Sequence, residues 1–302
     1  MKKFLLKTAL YGLIISVITT VILTFFGGYV DYFYPKFTAP PQASLILGDS
    51  RSFQGIQPHI IGQELNNFPE PLNFSFTFKQ IAYGDLYTQS VKRKLDDDSK
   101  NGLFILSVHP WLLAEREDDN IPEGKFFEAG MPPHNMQFAS MNPNVEYFFR
   151  NQEYFHFKAI VKRNSIVHDN GWLEEFNLTS DTLTLNRWRR TQDSVYQNLA
   201  RRWKPSDYRE QKLSELVGYL AQRGKVILLR MPVGEEIFAS ENKFWPGFNS
   251  DMARIAKANG ATYINYTGKP LPYRLYDGLH LDKESGARFT KSLCDSIRII
   301  SP

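Results

Sequence analysis

A chain of 302 residues with 42% hydrophobic and 14% aromatic side chains carries ample apolar material for one large domain or two small ones. Its formal net charge of +4 sits at the front: taking Lys2, Lys3 and Lys7 from the 36 basic residues leaves 33 against 32 acidic ones from position 31 onward. So even a balance excludes a broad nucleic-acid surface, and the single cysteine, Cys294, excludes an internal disulfide and reads as a core-facing, inert thiol.

The first element runs from Ala9 to Val30, a stretch without one charged residue. At about 1.5 Å of rise per residue it spans a bilayer core, and lysines before it predict a cytoplasmic N-terminus with the remainder exported. It exceeds the usual apolar core of a cleaved signal, about 7–15 residues, and Phe25-Phe26-Gly27-Gly28-Tyr29 offers no clean small-x-small site. Residues 1–30 are therefore expected to be a retained signal anchor. A helix buried in a soluble core is the weaker alternative. Asp31 to Gln42, with Pro35, Pro40 and Pro41, reads as a linker that lifts the domain off the membrane.

From residue 43 to 302 the pattern is that of one α/β domain. Apolar, β-rich runs at Ser44–Gly48, Leu72–Ser75, Leu103–Val108, Val226–Met231 and Thr262–Tyr266 predict five strands. Helical patterns lie between them at Lys79–Leu95, Ser206–Arg223, Asn249–Asn259 and Lys283–Ile299. Short continuous apolar strands separated by helices predict a five-stranded parallel sheet covered on both faces, a three-layer, flavodoxin-like fold. Pro110 to Pro205 is far longer than one crossover requires, and an insertion after a strand's carboxyl end usually overlies the active site.

Two short motifs carry the chemistry. Gly48-Asp49-Ser50 closes the run Ser44-Leu45-Ile46-Leu47, which leaves a serine hydroxyl exposed at the carboxyl edge of a strand. Asp277-Gly278-Leu279-His280 sets a carboxylate three residues before a histidine, where it can hold the imidazole in the tautomer that accepts a serine proton. A parallel sheet brings both to one edge.

Together, in this order, Leu45-Ile46-Leu47-Gly48-Asp49-Ser50-Arg51-Ser52 and Tyr276-Asp277-Gly278-Leu279-His280-Leu281 resemble the SGNH (GDSL-like) hydrolase superfamily. The resemblance covers the chain from about Ala43 to Ile299, with the insertion unmatched. It implies Ser50 as nucleophile, His280 as general base and Asp277 as the residue orienting that base. The family also has a glycine after the second strand and an asparagine, in Gly-x-Asn-Asp, after the third, both donating to the oxyanion. Here Leu72-Asn73-Phe74-Ser75 puts Ser75 at the first position, and Ser107-Val108-His109-Pro110 puts His109 at the second. The expected donors are the N–H groups of Ser50 and Ser75, with His109 or Asn73 third. Losing one such donor costs on the order of 2.7–4 kcal/mol of transition-state stabilisation.

Arg51 follows the serine and Arg230 ends the fourth strand, so both are candidates for weak substrate contact, a salt bridge being the plain alternative. Arg187-Trp188-Arg189-Arg190 and Arg201-Arg202-Trp203-Lys204 could hold sugars or face lipid head groups; a solvated helix with tryptophans packed inward is the plain reading. His109, His134, His156 and His168 show no metal-ligand spacing, and no glycine-rich phosphate loop is present, so no metal and no cofactor is expected. The sequons at Asn73, Asn177 and Asn265 read as chance.

Anchored members of the resembled family include the D-alanyl transfer protein of teichoic acid synthesis and proteins that acetylate exported polysaccharides. The resemblance thus implies ester hydrolysis or O-acyl transfer on an acylated envelope polysaccharide. The alternative is a catalytically weak scaffold that binds envelope glycan or a membrane acyltransferase partner.

Overall fold

A computed structural model of the chain describes residues 1–25, 27–152, 163–268 and 272–300. Five strands, β1 (Leu45–Leu47), β2 (Leu72–Asn73), β3 (Gly102–Ser107), β4 (Gly224–Arg230) and β5 (Thr262–Asn265), form one parallel sheet in the order β2-β1-β3-β4-β5. This is the doubly wound order that reverses direction between β1 and β3, and ligands of such sheets bind at the carboxyl edge of that point.

Alternation along each strand builds two cores. Leu45, Leu47, Phe104, Leu106, Val226 and Leu228 face one side, against the helices Asp85–Lys94, Asp207–Ala221 and Phe248–Ala258. Ile46, Leu103, Ile105, Ile227 and Leu229 face the other, against the closing helix Lys283–Ile300 through Phe289, Leu293, Cys294 and Ile297. The β1 residues have no solvent exposure, and fully burying a side chain of this kind stabilises by roughly 1.5–3 kcal/mol. Burial also pushes the Cys294 thiol up to about 12, an inert thiol at neutral pH.

The helix expected over Lys79–Leu95 begins only at Asp85. Gln80 Oε1 accepts from Thr77 N–H at 3.1 Å and from its hydroxyl at 2.8 Å, and Tyr83 N–H donates to Leu112 O at 3.0 Å. Those bonds hold the segment as a turn and a loop, so the helix waits until Gly84.

The expected linker is a second correction. Tyr34–Thr38 is a short helix with Pro35 in its first turn, where its missing N–H costs nothing. Phe37 is fully buried and Tyr34 nearly so, both within the larger core. Lys36 is buried too: its ammonium donates to Asn73 O and to Gly171 O (2.7 Å) and lies 3.9 Å above the Phe53 ring. Burial, with Lys94 nearby, pulls its pKa well below the ordinary lysine value. The aromatic residues that the prolines separate found apolar partners, so this segment is interior rather than spacer.

Before it, Lys2–Phe25 is one helix, and its window Lys2–Ile22 has mean hydropathy 1.9 with no part buried, long and apolar enough to cross a membrane or serve as a signal anchor. The insertion supplies an antiparallel hairpin (Ser165–Val167 with Leu173–Glu175) and the helix Thr182–Arg202, hereafter the insertion helix. His156 lies outside the described residues.

Candidate active site

Gly48 makes the turn after β1. Its φ of +145° is a conformation that side chains disfavour, and a Cβ there would meet Ser107 Cβ and Ser52 Oγ at 2.6 Å. Asp49 then caps the short helix Ser50–Gly55, accepting from Arg51 N–H at 3.2 Å. As first helical residue, Ser50 has no intrahelical acceptor for its own N–H. Its hydroxyl is half-buried at the carboxyl edge of the sheet.

The second motif arrives from the loop before the closing helix. Asp277 Oδ1 accepts from the backbone N–H groups of Leu279 (3.0 Å) and His280 (2.8 Å), while Oδ2 lies 2.7 Å from His280 Nδ1. His280 Nε2 lies 2.8 Å from Ser50 Oγ. Asp277 and His280 are only 5% and 8% exposed, so water competes little for these bonds. Burial works to raise the Asp277 pKa, but the imidazole and the two backbone N–H donors outweigh it and hold the carboxyl below its ordinary value. An ionised Asp277 fixes the proton on Nδ1 and leaves the Nε2 lone pair toward Ser50. Tyr276 stacks on the imidazole (5.9 Å between centroids, 24° between planes) and donates its hydroxyl to Gln54 Oε1 at 2.7 Å, so the ring has little room to swing.

The other expected site residues are employed elsewhere. Asn73 donates its amide to Ser52 O (2.8 Å) and Ile56 O (3.2 Å), and its Oδ1 accepts from Ser75 N–H (3.2 Å). Asn73 and Ser75 are both fully buried. These bonds close the end of the serine helix, and they correct the expectation that Ser75 and Asn73 donate to an oxyanion. His109 is a further correction: its Nε2 lies 2.9 Å from Asp49 Oδ2 behind the turn, at 1% exposure. Burial and the Arg51 cation keep this imidazole neutral, so its N–H donates to Asp49. Asp49 is in turn held at about 2: burial opposes, but His109 and Arg51 prevail.

Arg51 and Arg230 do not line an open edge either. Glu241, fully buried, receives both: Arg51 Nη2 approaches Oε1 to 2.7 Å, an ion pair outside hydrogen-bond angles, and Arg230 Nη2 donates to Oε2 at 2.8 Å. The Arg51 guanidinium lies 5.7 Å from the Tyr196 ring of the insertion helix, and Arg230 Nη1 donates to Asn249 Oδ1 at 2.7 Å. A long cation beside a buried carboxylate satisfies the carboxylate first. Substrate contact is thereby corrected to structural support behind Ser50.

Sequence reasoning missed what the insertion brings. Gln192 donates to Asp277 Oδ2 at 3.2 Å, Trp188 packs edge-on against Tyr276 (6.2 Å), and Arg189 reaches Leu275 O at 3.4 Å. The first Arg/Trp cluster thus borders the Asp277 loop. In the second, Trp203 lies under Arg116 (5.1 Å) and Arg202 pairs with Glu117 (3.1 Å). No spacing rule links these residues to a loop about ninety positions onward.

The hairpin packs on the serine helix: Leu173 meets Phe53, and Trp172 donates to Gln54 O at 2.8 Å. Glu175, two residues after Leu173, falls on the same strand face. Burial raises its carboxyl to about 7, against the opposing pull of His280. Because the folded value lies above the ordinary 4.5, the folded state holds an extra proton between about pH 4.5 and 7, and stability falls as pH rises through that window. In Glu175→Gln the decline assignable to this group disappears, so thermal melts of variant and parent converge below pH 4.5 and the variant leads above pH 7. Parallel melting curves over this range would refute the assignment.

No protein-family model and no curated protein matches the sequence. Among solved structures the chain is similar to the native M. smegmatis aryl esterase, with TM-score 0.38 and 10% identity over 84% of this chain and 97% of that one. Likeness at that level carries no argument about activity. The α/β fold rests on the strand order, and the class of chemistry on the hydroxyl, imidazole and carboxylate joined by two hydrogen bonds.

Proposed function

We propose that this protein is a membrane-anchored, extracytoplasmic serine esterase or O-acyltransferase acting on an acylated, chiefly acetylated, envelope polysaccharide through Ser50, His280 and Asp277. The observation that carries the reading is the line Ser50 Oγ–His280 Nε2 (2.8 Å) and His280 Nδ1–Asp277 Oδ2 (2.7 Å). Ser50 Oγ attacks the ester carbonyl carbon as its proton passes to His280 Nε2. The tetrahedral intermediate collapses, the C–O bond to the leaving alcohol breaks, and Nε2 returns the proton to that alcohol. Water or a sugar hydroxyl, deprotonated by the same nitrogen, then attacks the acyl carbon, the bond to Ser50 Oγ breaks, and Nε2 returns the proton to the serine. Ser50 N–H supplies one oxyanion donor. The glycan assignment is supported by the motif resemblance and by a polar groove of about 410 Å³ beside the site, lined by Glu174, Glu175, Asn177, Arg274, Asp282 and Lys283. Export is supported by the lysines ahead of the apolar helix.

A second reading, a scaffold binding envelope glycan or a membrane acyltransferase, is favoured by one observation: Ser75, Asn73 and His109 are bonded away from the serine. A fluorophosphonate probe separates the two. Applied to the full chain in detergent, it is expected to add the mass of one phosphonyl group to the peptide containing Ser50, and none in Ser50→Ala. An unlabelled parent protein would move the assignment to the scaffold.

A further inference from the structure

After the N-terminal helix, seven large apolar side chains among the described residues are exposed. Four of them, Tyr29 (47% exposed), Phe138 (53%), Val145 (40%) and Phe149 (72%), belong to segments around the end of that helix, while Phe127, Leu183 and Ile299 lie on other segments. Val145–Asn151 is a helix that packs against Lys2–Phe25 and whose Tyr147 hydroxyl donates to Asp31 Oδ2 at 2.9 Å. Phe138 is joined to it, because Glu146 Oε2 accepts from Phe138 N–H at 2.8 Å. Tyr147 is buried toward the core, while Val145 and Phe149, one turn apart, are turned outward beside the exposed Arg150.

Depth follows from helix geometry. At about 1.5 Å per residue, the stretch from Lys7 to Phe25 is about 27 Å long, close to the roughly 30 Å hydrocarbon thickness of a bilayer. Thr24, in the last turn, is only 1% exposed, so the domain already reaches that turn. An apolar helix face packed at that level lies at the boundary between head groups and acyl chains, where aromatic side chains are favoured.

We propose that Val145–Asn151, with Tyr29 and Phe138, is a second membrane contact: Phe149 and Val145 enter the interfacial layer of the phospholipid bilayer that surrounds the N-terminal helix. This rests on the reading of that helix as a membrane span. The surface is continuous with the span itself, which names lipid as its occupant. The domain is then seated on the bilayer at two points. The serine helix is fixed relative to the lipid, because Phe53 stacks on Phe33 (5.9 Å), a residue of the juxtamembrane segment. An ester presented at the membrane surface is the class of substrate that such seating favours.

Nitroxide accessibility on the full chain in nanodiscs of phosphatidylcholine and phosphatidylglycerol tests this. The one native thiol, Cys294, is buried and inert, so single labels are placed through F149C, V145C, I15C and E215C, with Ile15 within the span and Glu215 an exposed residue of the helix Asp207–Ala221. The expected ratio of oxygen to nickel-chelate accessibility at F149C and V145C is several-fold above that at E215C and of the order seen at I15C. Ratios at F149C and V145C equal to E215C, with I15C still reporting lipid, overturn the second contact alone. A water-like ratio at I15C as well overturns both the contact and the span. Spin–spin broadening at F149C would show a second copy covering the patch and would likewise overturn the lipid assignment.

Discussion

Asp277→Asn lowers the turnover of an activated ester such as p-nitrophenyl acetate by on the order of 10⁴-fold, with little change in KM. The carboxylate accepts from two backbone N–H groups through one oxygen and from His280 Nδ1 and Gln192 through the other. An asparagine keeps the shape but has only one acceptor oxygen. If that oxygen serves the two peptide N–H groups, the amide NH2 faces Nδ1, the imidazole proton moves to Nε2, and the nitrogen 2.8 Å from Ser50 Oγ can no longer take the serine proton. The alternative rotamer turns the NH2 on the two peptide donors and destabilises the loop. A thermal melt separates this second case from the first. Turnover within tenfold of the parent enzyme would remove Asp277 from the mechanism.

The largest expected loss of stability belongs to a residue outside the triad. Glu241→Ala costs about 3–5 kcal/mol, because it leaves the guanidinium groups of Arg51 and Arg230 buried without their shared carboxylate. Burial on its own would raise the Glu241 pKa, yet the Arg51 and Arg230 cations hold it below the ordinary value, so the group is ionised at neutral pH. Glu241→Gln keeps the volume and part of the hydrogen bonding and costs less. Since Arg51 is the residue after Ser50, the alanine variant also loses activity below its melting temperature. Urea unfolding reads the effect as a lower midpoint; a midpoint equal to that of the parent would show that the cluster contributes nothing to stability.

What could be read from the sequence was local. β1, β3, β4 and β5 are short apolar runs whose alternate residues both face core, so they stand out without any partner information. The spacing within Gly48-Asp49-Ser50 and within Asp277-Gly278-Leu279-His280 is likewise a property of a few consecutive residues, and the structure joins the two by a hydrogen bond across 230 positions. What escaped is long-range and polar. Nothing near Glu241 announces that it will neutralise Arg51 and Arg230, and nothing near Gln192 points to Asp277. Ser75 and His109 stand where the resemblance asks for oxyanion donors, but each found a buried acceptor closer at hand. The linker failed for a related reason: prolines at Pro35, Pro40 and Pro41 speak for an extended spacer only if the aromatic residues among them have no cavity to fill.

That interior role of Tyr34, Lys36 and Phe37 sets where the domain can be cut from its N-terminal helix. Truncating a buried aromatic to alanine costs about 3–5 kcal/mol, and losing two approaches the whole of a typical folding free energy, about 5–15 kcal/mol. A protease cut after Thr38, or a fragment begun at Ala43, discards both rings together with the ammonium that bridges Asn73 O and Gly171 O. A cut that leaves the domain folded must therefore fall upstream of Asp31, in the few residues that follow Phe25.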